Sequence, residues 1–289
     1  MATPFDQSSN LGEVFRKVLN RHGYGFHYRV MDEAGRLYDS QRSRWLFAVS
    51  EFPVTVRGRD ARIDFILRHA DRNMYLIAEC KRVNSALSNW CFARAPYPNP
   101  YASKLIFPHA MIDGNANLRA GISENERSEQ IYHISFEISS GETGDKEGNN
   151  RGALEKAAEQ VLLGLNGMIE FMSNNKLLVN LQEKRLFVPV IFTTANLFTT
   201  EVDLRSATLE RGEFMPGSIK LDARPWIWLQ YHQSPTLKHS SPNFDHVHNV
   251  VDPTRRPTPN LGVVLETEYE RSIAIVSPSG IESFLVRDW

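Results

Sequence analysis

The chain has 289 residues, 42% hydrophobic and 23% charged, with a formal net charge of −1. This is ordinary globular composition, long enough for a sizeable core. It excludes a uniformly basic nucleic-acid binder, so any such partner must be held by a local basic surface. Two cysteines, Cys80 and Cys91, make no disulfide framework; the N-terminus has no apolar signal core, and no run approaches bilayer length. A soluble cytoplasmic protein without a membrane partner is the expectation.

The first element is a helix entered at Asn10 and ended at Gly23, with Leu11, Val14, Phe15, Val18 and Leu19 at helical spacing. Three extended segments follow, over 44–56, 61–67 and 74–83, joined by the turn-forming linkers "RGRD" and "RHADRN". Between 84 and 150 the pattern loosens into a long insertion. It holds one strand over 131–139 and the polar loop "SGETGDKEGNN", expected to be mobile. Residues 152–172 form the clearest helix, and 185–194 and 225–232 read as strands. "LGVVLETE" and "RSIAIVSPSGIESFL" add two short strands and a last helical turn, after a proline-rich surface loop over 239–260. The whole reads as one α/β domain, with a core over 10–83 and 152–232, an insertion over 84–150 and a C-terminal extension over 233–289.

The stretch "RIDFILRHADRNMYLIAECKRV" (62–83) puts Asp64, Glu79 and Lys81 among apolar residues on two adjoining strands, where an unpaired charge is costly. Alternation sends Glu79 and Lys81 to one face and Cys80 to the other, and a hairpin can bring Asp64 beside Glu79. Two carboxylates so close repel, and a divalent cation relieves them. Oxygen-only ligands favour Mg2+, with Mn2+ able to substitute. The alternative is a buried Lys–Glu ion pair with Asp64 capping a turn.

"RIDFIL" followed by "YLIAECK" resembles the PD-(D/E)XK phosphodiesterase superfamily, which includes restriction endonucleases and Holliday-junction resolvases. The resemblance covers residues 10–83 and 152–194. It implies a restriction endonuclease-like core, a mixed central sheet flanked by helices, with Asp64 and Glu79 holding the metal and Lys81 as the catalytic lysine. Ile63 stands where the family name has proline. The implied activity is Mg2+-dependent cleavage of nucleic acid, most naturally DNA, in restriction or antiviral defence by analogy. A non-catalytic nucleic-acid-binding or assembly module with the same fold is the alternative, and a homodimer is compatible with either. The family also suggests a glutamate on the first helix, Glu13, and a glutamine on the second, Gln160. Glu13 lies nearly opposite the apolar face of its helix, where an exposed helix-start glutamate is equally natural; Gln160 shares a small-residue stripe with Gly164 and Gly167.

Eight arginines (Arg36, Arg42, Arg44, Arg57, Arg59, Arg62, Arg68, Arg72) suit phosphate, unless they only solvate a sheet edge. Trp90, Phe92, Tyr97 and Tyr101 could stack on bases or fill the core. No Gly-Lys dipeptide and no Gly-x-Ser-x-Gly occurs, which excludes a P-loop and the usual serine-hydrolase elbow. His246 and His248 lack the further ligands of a zinc motif.

Overall fold

A computed structural model describes residues 4–56, 58–84, 88–96, 105–110, 116–121, 131–138, 152–175, 185–232 and 270–287. Helix α1 (Pro4–His22) ends at Gly23 as expected, but a further helix stands between it and the first strand. Gly23 adopts φ +75°, which a glycine takes without strain, and a second helix, α2 (Tyr24–Asp39), begins at once. The core-packing helix before the strands is α2, whose buried face is His27, Val30, Ala34 and Leu37. The apolar residues of α1 instead face outward; Leu11 is 70% and Phe15 61% exposed.

Strands β1 (Trp45–Val56), β2 (Arg59–His69) and β3 (Met74–Lys81) form the expected antiparallel meander. Alternating β-formers with short polar turns specify it locally. The insertion contributes more strand than its loose pattern suggested: β4 (Asn89–Ala93), β5 (Leu105–Ala110), β6 (Ala116–Gly121), β7 (Ile131–Tyr132) and β8 (Ile134–Ile138). The single strand expected over 131–139 is thus divided at His133, because β7 and β8 join different sheets. After helix α3 (Ala153–Asn174) come β9 (Arg185–Thr193), β10 (Asn196–Thr200), β11 (Asp222–Arg224), β12 (Trp226–His232), β13 (Glu270–Val276) and helix α4 (Ile281–Leu285).

The larger sheet runs β1-β2-β3-β9-β13-β12-β7, with β5 also on β9 and β6 on β5. β3, β9 and β13 are mutually parallel and their neighbours β2 and β12 antiparallel, so the fold is mixed α/β with a mixed central sheet between helices. A smaller sheet runs β11-β10-β4-β8. The segments 140–150, 239–260 and "LGVVLETE" lie outside the described residues.

Each face of the large sheet carries its own core. On one, α3 buries Ala157, Val161, Leu165 and Met168 against Val54, Ile63, Ile77 and Ile191. On the other, α2 and α4 cover Phe65, Leu76, Val190 and Phe192. Each of the larger of these side chains contributes about 1.5–3 kcal/mol on burial. Two glycines set how closely α3 approaches: a Cβ on Gly164 would lie 2.9 Å from Ile63 Cγ1, and one on Gly167 2.6 Å from Val54 Cβ. This close approach brings Gln160 near the end of β3. Among the described residues, no helix is long and apolar enough to cross a membrane.

Candidate metal centre

The centre lies where β2 and β3 part. They pair from Arg68↔Tyr75 to Phe65↔Ala78, and there the ladder stops. Beyond it, β2 stays with β1 as far as Arg59↔Val56, while β3 stays with β9 as far as Lys81↔Thr193. Asp64 and Glu79 are the next residues on the two diverging strands. The Asp64 carboxylate takes over from the ladder: its Oδ2 accepts a 2.6 Å hydrogen bond from the Cys80 N–H.

Burial governs the electrostatics here. Glu79 is only 7% exposed, and among the described residues none hydrogen-bonds its carboxylate. Its pKa is pushed up to about 8, first by burial and then by the negative charge of Asp64; Lys81 opposes the shift. Burial also raises Asp64, against the pull of the Cys80 N–H and of His27. Lys81 follows Tyr75, Ile77 and Glu79 on the α3 side, and its Nζ donates to Gln160 Oε1 at 3.3 Å. Gln160 itself is exposed, so the pair sits toward the surface. Cys80 points the other way with Ala78, and burial pushes its thiol well up.

Two further groups belong here that were not singled out in the sequence. Glu51 on β1 lies between the pairs Ser50↔Phe65 and Phe52↔Ile63, and so opposite Asp64. Its backbone is left-handed, φ 51°, which is uncommon for a residue with a side chain and rare within a strand. On β2, Ile63 and Ile66 face α3 whereas Phe65 and Leu67 face α2, so strict alternation is lost at the level of Asp64. From α2 comes His27, 4% exposed, with Nδ1 3.6 Å from Glu51 Oε1. One ligand atom from each of His27, Glu51 and Asp64 lies within 4.8 Å of the other two, a set that could hold a metal ion. The sequence did carry signals for both: a histidine on the one buried stripe of α2, and a lone acid inside the apolar run "WLFAVSEFPVTV".

The structure brings Asp64, Glu79, Lys81 and Gln160 together but not Glu13. That residue is exposed on α1 and receives two hydrogen bonds from Arg16, at 2.6 and 2.8 Å, which hold its carboxyl below the usual range. The N-terminal helix that reaches the centre is α2, not α1, and its contribution is His27. Trp90 and Phe92 are 0% and 1% exposed in the core and are not available to stack on bases. Several arginines already have acidic partners: Arg36 with Glu33, Arg42 with Glu282, Arg44 with Asp71 and Arg62 with Glu51. Arg59 and Arg68 are exposed on β2 and Arg72 in the following turn. Arg57, Tyr97, Tyr101, His246 and His248 lie outside the described residues.

In comparisons with known proteins, no family model matches the chain, and neither a curated protein nor a solved structure matches it significantly.

Proposed function

We propose that this chain is a divalent-metal-dependent nuclease of the PD-(D/E)XK type, with a restriction endonuclease-like core, that cleaves DNA. One observation carries the reading: two strands that part where Asp64 and Glu79 sit, with Lys81 two residues on and held by Gln160. The buried pair suits a cation. A carboxylate with no hydrogen-bond donor, raised in pKa by its neighbour's charge, is costly to ionise alone and favourable beside a divalent ion. Mg2+ or Mn2+ held by Asp64 and Glu79 would supply charge neutralisation at the scissile phosphate and lower the pKa of water there.

The protein's own side chains account for the rest. The Cys80 N–H holds Asp64 Oδ2 and so fixes the carboxylate at the point where the strands part. Lys81 Nζ, kept in place by Gln160 Oε1, presents a positive charge where the phosphate gains negative charge in the transition state. Exposed Arg59, Arg68 and Arg72 on the same meander supply phosphate contacts that need no base recognition. A role in restriction or antiviral defence fits a DNA-cleaving enzyme of this kind.

The test is incubation of purified protein with plasmid, single-stranded DNA and RNA, in Mg2+ or Mn2+ or with EDTA. DNA cleavage that EDTA stops, and that Asp64→Asn and Lys81→Ala abolish, is the expected result. Salt-dependent binding without cleavage of any substrate would replace this reading with that of a non-catalytic binding module.

A further inference from the structure

The centre contains two donor sets that share Asp64. Asp64 and Glu79 offer oxygen alone. His27, Glu51 and Asp64 offer two oxygens and an imidazole nitrogen, one atom each within 4.8 Å of the others, and Glu79 is outside that group. At metal–ligand distances near 2.1–2.2 Å, ligand atoms around one ion lie up to about 4.3 Å apart, so a small contraction closes the second set on an ion.

Its two carboxylates are oriented by neighbouring donors. Glu51 Oε2 accepts from Arg62 at 3.2 Å, which turns Oε1 to His27. Asp64 Oδ2 is fixed by the Cys80 N–H, and no described residue bonds Oδ1. Glu51 thus has one oxygen engaged and one presented, the usual division between orienting and ligating atoms, and Asp64 is fixed by one backbone donor. The His27 ring packs on Tyr28 and Phe65, with centroids 5.1 and 5.6 Å away. It is 4% exposed, yet neither nitrogen makes a hydrogen bond among the described residues: Nδ1 stops 3.6 Å from Glu51, and Nε2 has no partner. A buried imidazole without hydrogen bonds loses the full cost of its desolvation. Turned toward two carboxylates, it regains that cost by binding a cation.

We infer that His27, Glu51 and Asp64 form an ion site that selects Mn2+ over Mg2+. Mg2+ binds oxygen and gives up its waters reluctantly, so an imidazole gains little from it. Mn2+ has the same charge, accepts nitrogen more readily, and still favours a set in which carboxylates outnumber imidazoles. The inference rests on the metal-holding role proposed for Asp64. Its readout needs no nucleic acid, so a protein that cuts nothing can still pass this test, and one that cuts DNA can still fail it.

The experiment titrates MnCl2 into the metal-free protein, followed by EPR of free Mn2+, and measures Mg2+ by competition. Wild type is expected to bind Mn2+ at least about tenfold more tightly than Mg2+, and His27→Ala to remove most of that preference while Mg2+ binding changes little. Equal losses for both ions, or none for either, would overturn the site. Because His27 is buried and the variant could fold poorly, pulsed EPR on the wild-type Mn2+ complex gives a second reading. Modulation from a directly bound 14N nucleus supports the site, and its absence with one Mn2+ bound sinks it.

Discussion

Replacing Glu79 by glutamine should make the metal-free protein more stable and inactive. The carboxyl is 7% exposed, with a pKa of about 8 against an ordinary 4.5. The folded state therefore binds its proton more tightly than the unfolded state does. Below about pH 4.5 both states are protonated and the residue adds no penalty. As pH rises from 4.5 to 8 the unfolded chain ionises first, and stability falls; above 8 the full penalty is present. At about 1.36 kcal/mol per pKa unit, the cost grows by roughly 3 kcal/mol between pH 5 and pH 8. Glutamine keeps the shape and carries no charge. Glu79→Gln should thus come within about 1 kcal/mol of wild type near pH 5 in EDTA and exceed it by about 3 kcal/mol more at pH 8. Urea denaturation of both proteins at the two pH values measures this, and saturating Mn2+ should narrow the gap by favouring the wild-type carboxylate. A gap independent of pH would show that Glu79 is not held protonated, and would remove the main reason to expect a cation beside it.

Other outcomes follow from single contacts. Lys81→Ala should lower DNA cleavage about a hundredfold or more while leaving filter-binding affinity for the same DNA unchanged, since it removes charge stabilisation and leaves the arginines in place. Glu51→Gly should be about 1 kcal/mol more stable than Glu51→Ala by chemical denaturation, because both lose the carboxylate and only glycine accepts φ 51° without strain; equal stabilities would mean that position 51 relaxes when its side chain is cut back. Gly167→Ala should destabilise by roughly 1–3 kcal/mol despite alanine's better helix propensity, because its Cβ would meet Val54 Cβ at 2.6 Å. A rise in Tm for that variant would refute the close approach of α3.

The meander, α3, β9 and β12 were legible because each is a continuous pattern with clear stops, as in "ARIDFIL" and "ALEKAAEQVLLGLNGMIEFM". The grouping of Asp64, Glu79 and Lys81 was legible for the same reason: alternation and a short turn leave little freedom. α2 was missed because Gly23 reads as an ending, while here it both ends one helix and starts the next. Glu51 could not be placed by alternation, since its left-handed backbone breaks the period on which alternation depends. His27 needed α2 first. The smaller sheet joins β4 and β8 of the insertion to β10 and β11 beyond α3, and such pairings leave no mark on local periodicity.

The parallel pairing of β3 with β9 has a consequence for how the protein is made. Met74 faces Leu186 and Lys81 faces Thr193, separations of roughly 110 residues, so this contact closes a long loop and forms slowly. On the ribosome, Asp64, Glu79 and Lys81 emerge well before the strand that supports them from the other side. Until β9 arrives, β3 is an apolar edge with open backbone groups, a surface on which other chains can add. The most hazardous chemistry proposed for the molecule is therefore completed only by the longest-range strand pairing among the described residues, well after its own three side chains have been made.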